Sequence, residues 1–198
     1  MAAVPVGSGG GRSARRLGTT ATDVALVMAL IGVVAALALP KVSIPDLRAD
    51  ASARQVRMTL QAAARLAATR QYGVIVSFDT VNQTVRMVED VNNDGVADQG
   101  ERVTWHPLVG GTRFATPPVG LNGPVAHAVS GAGVQTIDGM PSVIFLRDGT
   151  INTPVEVYLT SNDPTADNFR GITVSRSNDR AVYEKYVNST WTSENGDR

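Results

Sequence analysis

A chain of 198 residues with 18 Lys and Arg against 18 Asp and Glu carries no net charge, so composition alone supplies no bulk attraction for nucleic acid. It has no cysteine, which excludes thiolate zinc sites, a thiol nucleophile and a disulfide framework. Its two histidines, His106 and His127, stand in no metal-ligand spacing. Neither a Gly-x-Ser-x-Gly turn nor a phosphate-cradling glycine loop is present, and an enzyme is not expected.

The first 18 residues hold Arg12, Arg15 and Arg16 and no acid. A short basic head before an apolar run keeps the N-terminus cytoplasmic and sends the rest of the chain outward. From Val24 to Leu39 there is no charge and no strong polar group. Counted from Thr19, the stretch reaches the ~20 residues that cross a ~30 Å hydrocarbon core as a helix. Asp23 is the one intruder. A secretory signal peptide is one reading, with Ala36-Leu37-Ala38 as a small-x-small cleavage site. A plain signal anchor is a second, and in both Asp23 is idle. The third gives it a role: a carboxylate is expensive in lipid and is kept there for a partner.

Gly18-Thr19-Thr20-Ala21-Thr22-Asp23, the unbroken apolar run and Pro40 together resemble the class III signal of type IV prepilins and type II secretion pseudopilins. The resemblance implies cleavage by prepilin peptidase after Gly18 and methylation of the new N-terminus at Thr19. It also implies an acidic residue at the fifth mature position and a proline at the twenty-second, which are Asp23 and Pro40. Thr19 stands where the family usually has Phe or Met, and Asp23 where it prefers Glu. In this likeness Asp23 is an assembly contact, neutralised by the N-terminal ammonium of a neighbouring subunit.

Beyond the apolar run, Pro40 and Pro45 predict a bend before Asp46, which suits an N-cap or first-turn position. Leu47, Ala51, Val56, Leu60, Ala63, Ala64 and Ala67 recur at three-to-four spacing, with Arg54, Arg57, Arg65 and Arg70 mostly off that face. The pattern predicts an amphipathic helix punctuated at its C-terminus by Gly73, with the arginines on a solvated flank. After Gly73 the period becomes two. Residues 74–78, 84–88, 102–105, 142–146, 155–159, 172–175 and 181–186 read as strands, separated by turns at Asn93-Asp94-Gly95, Arg147-Asp148-Gly149 and Ser177-Asn178-Asp179. Trp105-His106-Pro107 reads as core packing followed by a strand end. The Gly- and Pro-rich stretch from Pro107 to Pro141 reads as long loops.

The predicted fold class is therefore α+β: a long N-terminal α-helix, half transmembrane and half amphipathic, packed on an antiparallel β-sheet or sandwich. The divisions are a leader at 1–18, a transmembrane and assembly helix at 19–40, an amphipathic helix at 41–72 and an antiparallel β domain at 73–198.

The order of elements, the stretch Leu60-Gln61-Ala62-Ala63-Ala64-Arg65-Leu66-Ala67, the Asp/Asn/Gly-rich loop ending in Glu101, Val143-Ile144-Phe145-Leu146-Arg147-Asp148-Gly149-Thr150 and Gly171-Ile172-Thr173-Val174-Ser175 resemble the GspH/FimT branch of minor pseudopilins and minor pilins. That likeness implies a non-enzymatic subunit of a type II secretion pseudopilus. It would be held single-pass in a bacterial inner membrane, with its globular domain periplasmic or extracellular and other pseudopilins as partners. The alternative it implies is a FimT-like minor pilin of a type IV pilus, with a part in DNA uptake. Phosphate binding needs several uncompensated bases. In the corresponding region Arg180 stands beside Asp179, and the chain ends with Glu194 and Asp197 offset by Arg198, so DNA contact is not expected.

One loop carries a ligand pattern of its own. Asp90-Val91-Asn92-Asn93-Asp94-Gly95-Val96-Ala97-Asp98-Gln99-Gly100-Glu101 matches the twelve-residue calcium loop. Oxygen donors fall at positions one (Asp90), three (Asn92), five (Asp94), nine (Asp98) and twelve (Glu101), a backbone carbonyl at seven (Val96), and Gly95 at six. Hard oxygen donors at this spacing suit Ca²⁺. The flanks read as strands, so the same residues also fit a wide hairpin loop in which Asn and Asp supply turn geometry.

Overall fold

The computed structural model describes residues 20–38, 44–162, 168–176 and 178–193. The chain divides into two compact units, residues 1–41 and 42–198. The first contains helix α1, Ala21–Ala38. The second opens with helix α2, Ile44–Arg70, and continues entirely in β-structure. It is an α+β unit, a helix packed on antiparallel sheets.

Sheet A has the order β3-β2-β1-β7-β6, from Arg102–Pro107, Thr84–Asp90, Gly73–Asp79, Met140–Phe145 and Gln135–Ile137. Sheet B has the order β11-β10-β9-β8-β4, with β5 also paired to β8. Its strands are Thr190–Ser193, Asn178–Val187, Arg170–Ser175, Val155–Ser161, Thr112–Phe114 and Val129–Ser130. Every pairing is antiparallel; β1–β7, β4–β8 and β5–β8 join strands distant in sequence, and the other six join consecutive strands.

The core lies where the two sheets and α2 meet. Val74, Val76 and Phe78 of β1 and Val143 and Phe145 of β7 face it from sheet A; Val155, Val157, Leu159, Ile172 and Val174 face it from sheet B. Strict alternation along these strands puts each set on one face. Val56, Leu60, Ala63 and Ala67 complete the cluster from α2.

The seven alternating stretches all fall within or across observed strands. Two expectations about α2 are corrected. Leu47 and Ala51 are exposed, and the buried residues of the first turns are Ala49, Ser52 and Ala53. The buried stripe is 49, 53, 56, 60, 63 and 67, an unbroken alternation of four and three. Nor does Gly73 end the helix: α2 stops at Arg70 and Gln71 takes the left-handed conformation, φ 62°. The Gln71 amide N–H donates to the Ala67 carbonyl at 2.9 Å, and its side chain donates to Ala68 and Arg147 carbonyls at 2.6 and 3.3 Å. Those bonds offset the conformation that glycine would adopt freely. Asp46 lies inside the first turn, two residues after the helix starts, and Pro45 precedes it where a missing N–H costs nothing.

The stretch from Pro107 to Pro141 contains three short strands, β4, β5 and β6, in addition to loops. Trp105 is 49% exposed rather than core, with Arg86 stacked 5.8 Å from its ring centroid. Gly149 is required by its surroundings: its φ is +82°, and a Cβ there would stand 3.1 Å from the Ala64 carbonyl oxygen of α2.

Candidate functional site

Two sequence-predicted sites are described, the head of α1 and the acidic loop. Gly18, Thr19 and Pro40 lie outside the described residues, as do the leader and the expected bend before Ile44. At the head of α1, Asp23 sits in the first turn. Its carboxylate accepts the Thr20 backbone N–H at 3.1 Å and the Thr20 hydroxyl at 2.8 Å, and its own N–H donates to the Thr20 carbonyl at 2.9 Å. This is the reach-back half of a capping box, with Thr20 as N-cap and the acid three residues on. The signal was present in the sequence as Thr-x-x-Asp before an apolar run.

The rest of α1 has no polar face. Leu26, Met28, Leu30 and Ile31 are 57–66% exposed and, at 3.6 residues per turn, point to different sides of the helix. A helix apolar all round is stable only where something covers it. Its 18 residues rise about 27 Å, and among the described residues no helix is long and apolar enough to cross a membrane.

The acidic loop joins β2 to β3. Asp90 is buried, and its two oxygens accept the N–H groups of Asp94 and Gly95 at 3.2 and 2.9 Å. Gly73 lies so close that a Cβ would come within 3.1 Å of Asp90 Oδ2. Glu101 folds back to accept the N–H groups of Val91 and Asp98 at 3.1 and 3.0 Å. Asn92 Nδ2 donates to Asp94 Oδ2 at 2.8 Å and to Asp98 Oδ2 at 3.1 Å. Positions three, five and nine of the loop thus converge, with an amide nitrogen joining two carboxylates. The Asn92 Oδ1 in turn accepts the Asp94 N–H at 3.3 Å. As it stands the loop is closed by its own hydrogen bonds. Among the described residues no group of three or more His, Cys, Asp or Glu is placed to hold a metal ion. Val96 is half-exposed, and its N–H donates to Asp94 Oδ1 at 2.8 Å.

A third constellation was missed by the sequence reading. Arg170, the first residue of β9, is fully buried and the largest side chain so placed. Its guanidinium donates through Nε to Asp50 Oδ1, through Nη2 to Asp46 Oδ1 at 3.3 Å and through Nη1 to the Phe169 carbonyl at 3.0 Å. The Tyr183 hydroxyl of β10 donates to the same Asp50 oxygen at 2.6 Å. Burial pushes the Asp50 carboxyl up, but the Tyr183 hydroxyl, the Arg170 guanidinium and Lys185 outweigh it and hold the group below its ordinary value. The only signal was an i, i+4 acid pair on a helix; its cation lies 120 residues away.

The flank of α2 carrying Leu47, Ala51, Met58, Ala62 and Leu66 faces Met87, Thr104 and His106 of β2 and β3 across an open groove of about 880 Å³.

Among solved structures, the chain is similar to the type IV minor pilin FimU of Pseudomonas aeruginosa. The identity is 11%, covering 72% of this chain and 91% of that one, with a TM-score of 0.44. It is also similar to the minor pseudopilin EpsH from the Type 2 Secretion System of Vibrio cholerae, at 15% identity over 66% and 91% of the two chains, TM-score 0.44. No family model and no curated protein matches.

Proposed function

We propose that this chain is a minor pseudopilin, a structural subunit of a type II secretion pseudopilus with no catalytic role. In this reading it is made as an inner-membrane precursor, cut by prepilin peptidase after Gly18, and assembled through α1, with its β domain on the far side of the membrane. The observation that carries the reading is α1 itself, a helix apolar on every side with one carboxylate in its first turn. Such a helix needs cover that its own surface does not supply: lipid before assembly, the helices of other subunits afterwards. Methylated Thr19 would then present a cation to the Asp23 of a neighbour, exchanging the Thr20 cap for an ion pair.

The test follows the precursor through three stages in its native membrane. Asp23→Ala is inserted and cleaved like the parent, with Thr19 as the new N-terminus, but does not enter filaments with the other subunits. Normal co-assembly of that variant sinks the reading. Deleting the gene separates a pseudopilus from a pilus: loss of protein secretion with piliation intact supports the first, and the reverse outcome, with or without loss of DNA uptake, assigns the chain to a type IV pilus.

For the 90–101 loop we propose Ca²⁺ as a ligand, supported by its oxygen spacing and by the convergence of Asn92, Asp94 and Asp98. Calorimetry on the full chain in detergent gives saturable heat and a raised melting temperature if this holds. A flat trace at millimolar Ca²⁺ ends the proposal.

A further inference from the structure

The inward-facing series of β9 is Arg170, Ile172, Val174: an arginine occupies a position where the strand otherwise presents hydrocarbon to the core. On β10 the residue paired with Arg170 is Lys185, and Tyr183 is paired with Ile172. This end of sheet B therefore presents a buried guanidinium, an ammonium and a phenol on one face. Opposite them stand Asp46 and Asp50, one turn apart on α2.

Little else holds that part of the helix. In its first ten residues the buried apolar groups are two methyls, those of Ala49 and Ala53, while Ile44 and Leu47 are more than half exposed. The next polar ties come at the third turn, where Ser52 meets the Thr112 hydroxyl at 2.7 Å and the Val109 N–H at 3.0 Å, and Gln55 donates to the Pro107 carbonyl at 2.7 Å. From Val56 to Ala67 hydrocarbon takes over.

We propose that Arg170 is a positioning residue: with Asp46, Asp50 and Tyr183 it forms a latch that fixes the first two turns of α2 to sheet B. The latch makes sheet B the part of the β domain that directly receives any force arriving through the N-terminal end of α2. Closed, it passes a pull to β9 and β10 at once. Open, the pull must first strip two turns of helix off the domain. A guanidinium suits this task because it bonds two carboxylates in fixed directions and stays charged at any working pH. The mechanical role rests on the filament reading above; the latch itself does not.

The test is hydrogen exchange on the full chain in detergent, comparing the parent with Arg170→Met, Arg170→Lys and the double variant Asp46→Asn/Asp50→Asn. Removing the latch raises exchange in residues 47–51 by at least tenfold and leaves 56–70 and β1 unchanged. Arg170→Lys restores part of the protection. Equal exchange in all four proteins, or a uniform rise through the whole domain, overturns the latch. If Arg170→Met does not fold, the double variant, which keeps side-chain size and one acceptor oxygen at each position while removing the charge, gives the same regional answer. The force claim is read separately, from filaments carrying the double variant: they release the subunit under detergent or shear more readily than filaments of the parent. Equal retention removes that claim. Failure of Asp23→Ala to be excluded from filaments would remove the filament reading while leaving the exchange pattern standing.

Discussion

Helices α1 and α2 are consecutive in the chain and are stabilised in opposite ways. In α1 the one ionisable group, Asp23, serves the helix's own first turn, and residues 24–33 beyond it are exposed and carry no polar side chain. In α2 charge and hydrocarbon are sorted. Ala49, Ala53, Val56, Leu60, Ala63 and Ala67 are buried, Asp46 and Asp50 are bonded to Arg170, and Arg54, Arg65 and Arg70 face outward. The second helix finds its cover within its own unit. The first leaves Leu26, Met28, Leu30 and Ile31 more than half exposed, which is the ground for the assembly role proposed above. That contrast, more than any single residue, directs the functional reading to assembly.

The largest effect should come from making α1 resemble a surface helix. Leu30→Arg places a second charge in α1 and, if α1 is the membrane and filament helix proposed above, should abolish both associations while leaving the β domain's melting temperature unchanged. Fractionation and thermal melting of the same preparation check both halves.

Next is the core of α2. Leu60→Ala empties a fully buried site and should cost about 2–5 kcal/mol, read from denaturant midpoints. Leu47→Ala, on the exposed flank, should stay within about 0.5 kcal/mol. Equal losses at the two positions would erase the observed distinction between the faces. The same pair shows how far the sequence could be read. Two apolar stripes run side by side along α2, 47/51/58/62/66 and 49/53/56/60/63/67, and periodicity alone gives no reason to prefer the second at the N-terminal end. Asp46 and Asp50 decide it, because they must face Arg170, a partner 120 and more residues away. Strands β1, β2, β3, β7, β8, β9 and β10 were readable because each alternates over several residues. Strands β4, β5, β6 and β11, two to four residues long, offer too few positions for a period. The β10–β11 connection relies on Asn188 and Ser189 in left-handed conformations, φ 50° and 64°, a primed hairpin turn without the usual glycine. The capping box at Thr20 and Asp23 was readable and went unrecognised beside the stronger processing signal.

A smaller effect belongs to acid. Asp50 titrates below its ordinary value of 3.8 in the folded chain, so its contribution is complete above that value and lost as pH falls through the lowered folded value. The stability gap between the parent and Asp50→Asn should therefore be constant from neutral pH to about pH 5 and narrow below about pH 4, as melting temperatures across that range would register. A gap that widens on acidification would contradict the latch geometry.

The smallest effect is at the helix start. Thr20→Ala removes the hydroxyl that donates to the Asp23 carboxylate and should loosen the helix start slightly, visible as increased exchange in the first turn of α1 with no change in assembly. A large assembly defect in this variant would mean that the cap, rather than the carboxylate charge, is the part of the site that matters.

The most direct test separates those two roles at Asp23. Asparagine retains a side-chain oxygen that can accept the Thr20 N–H but has no charge to offer a neighbour's ammonium. If α1 assembles through that charge, Asp23→Asn is inserted and cleaved like the parent, keeps its helical first turn, and falls at least tenfold in co-purification with filaments. Co-purification at the parent's level would contradict the account.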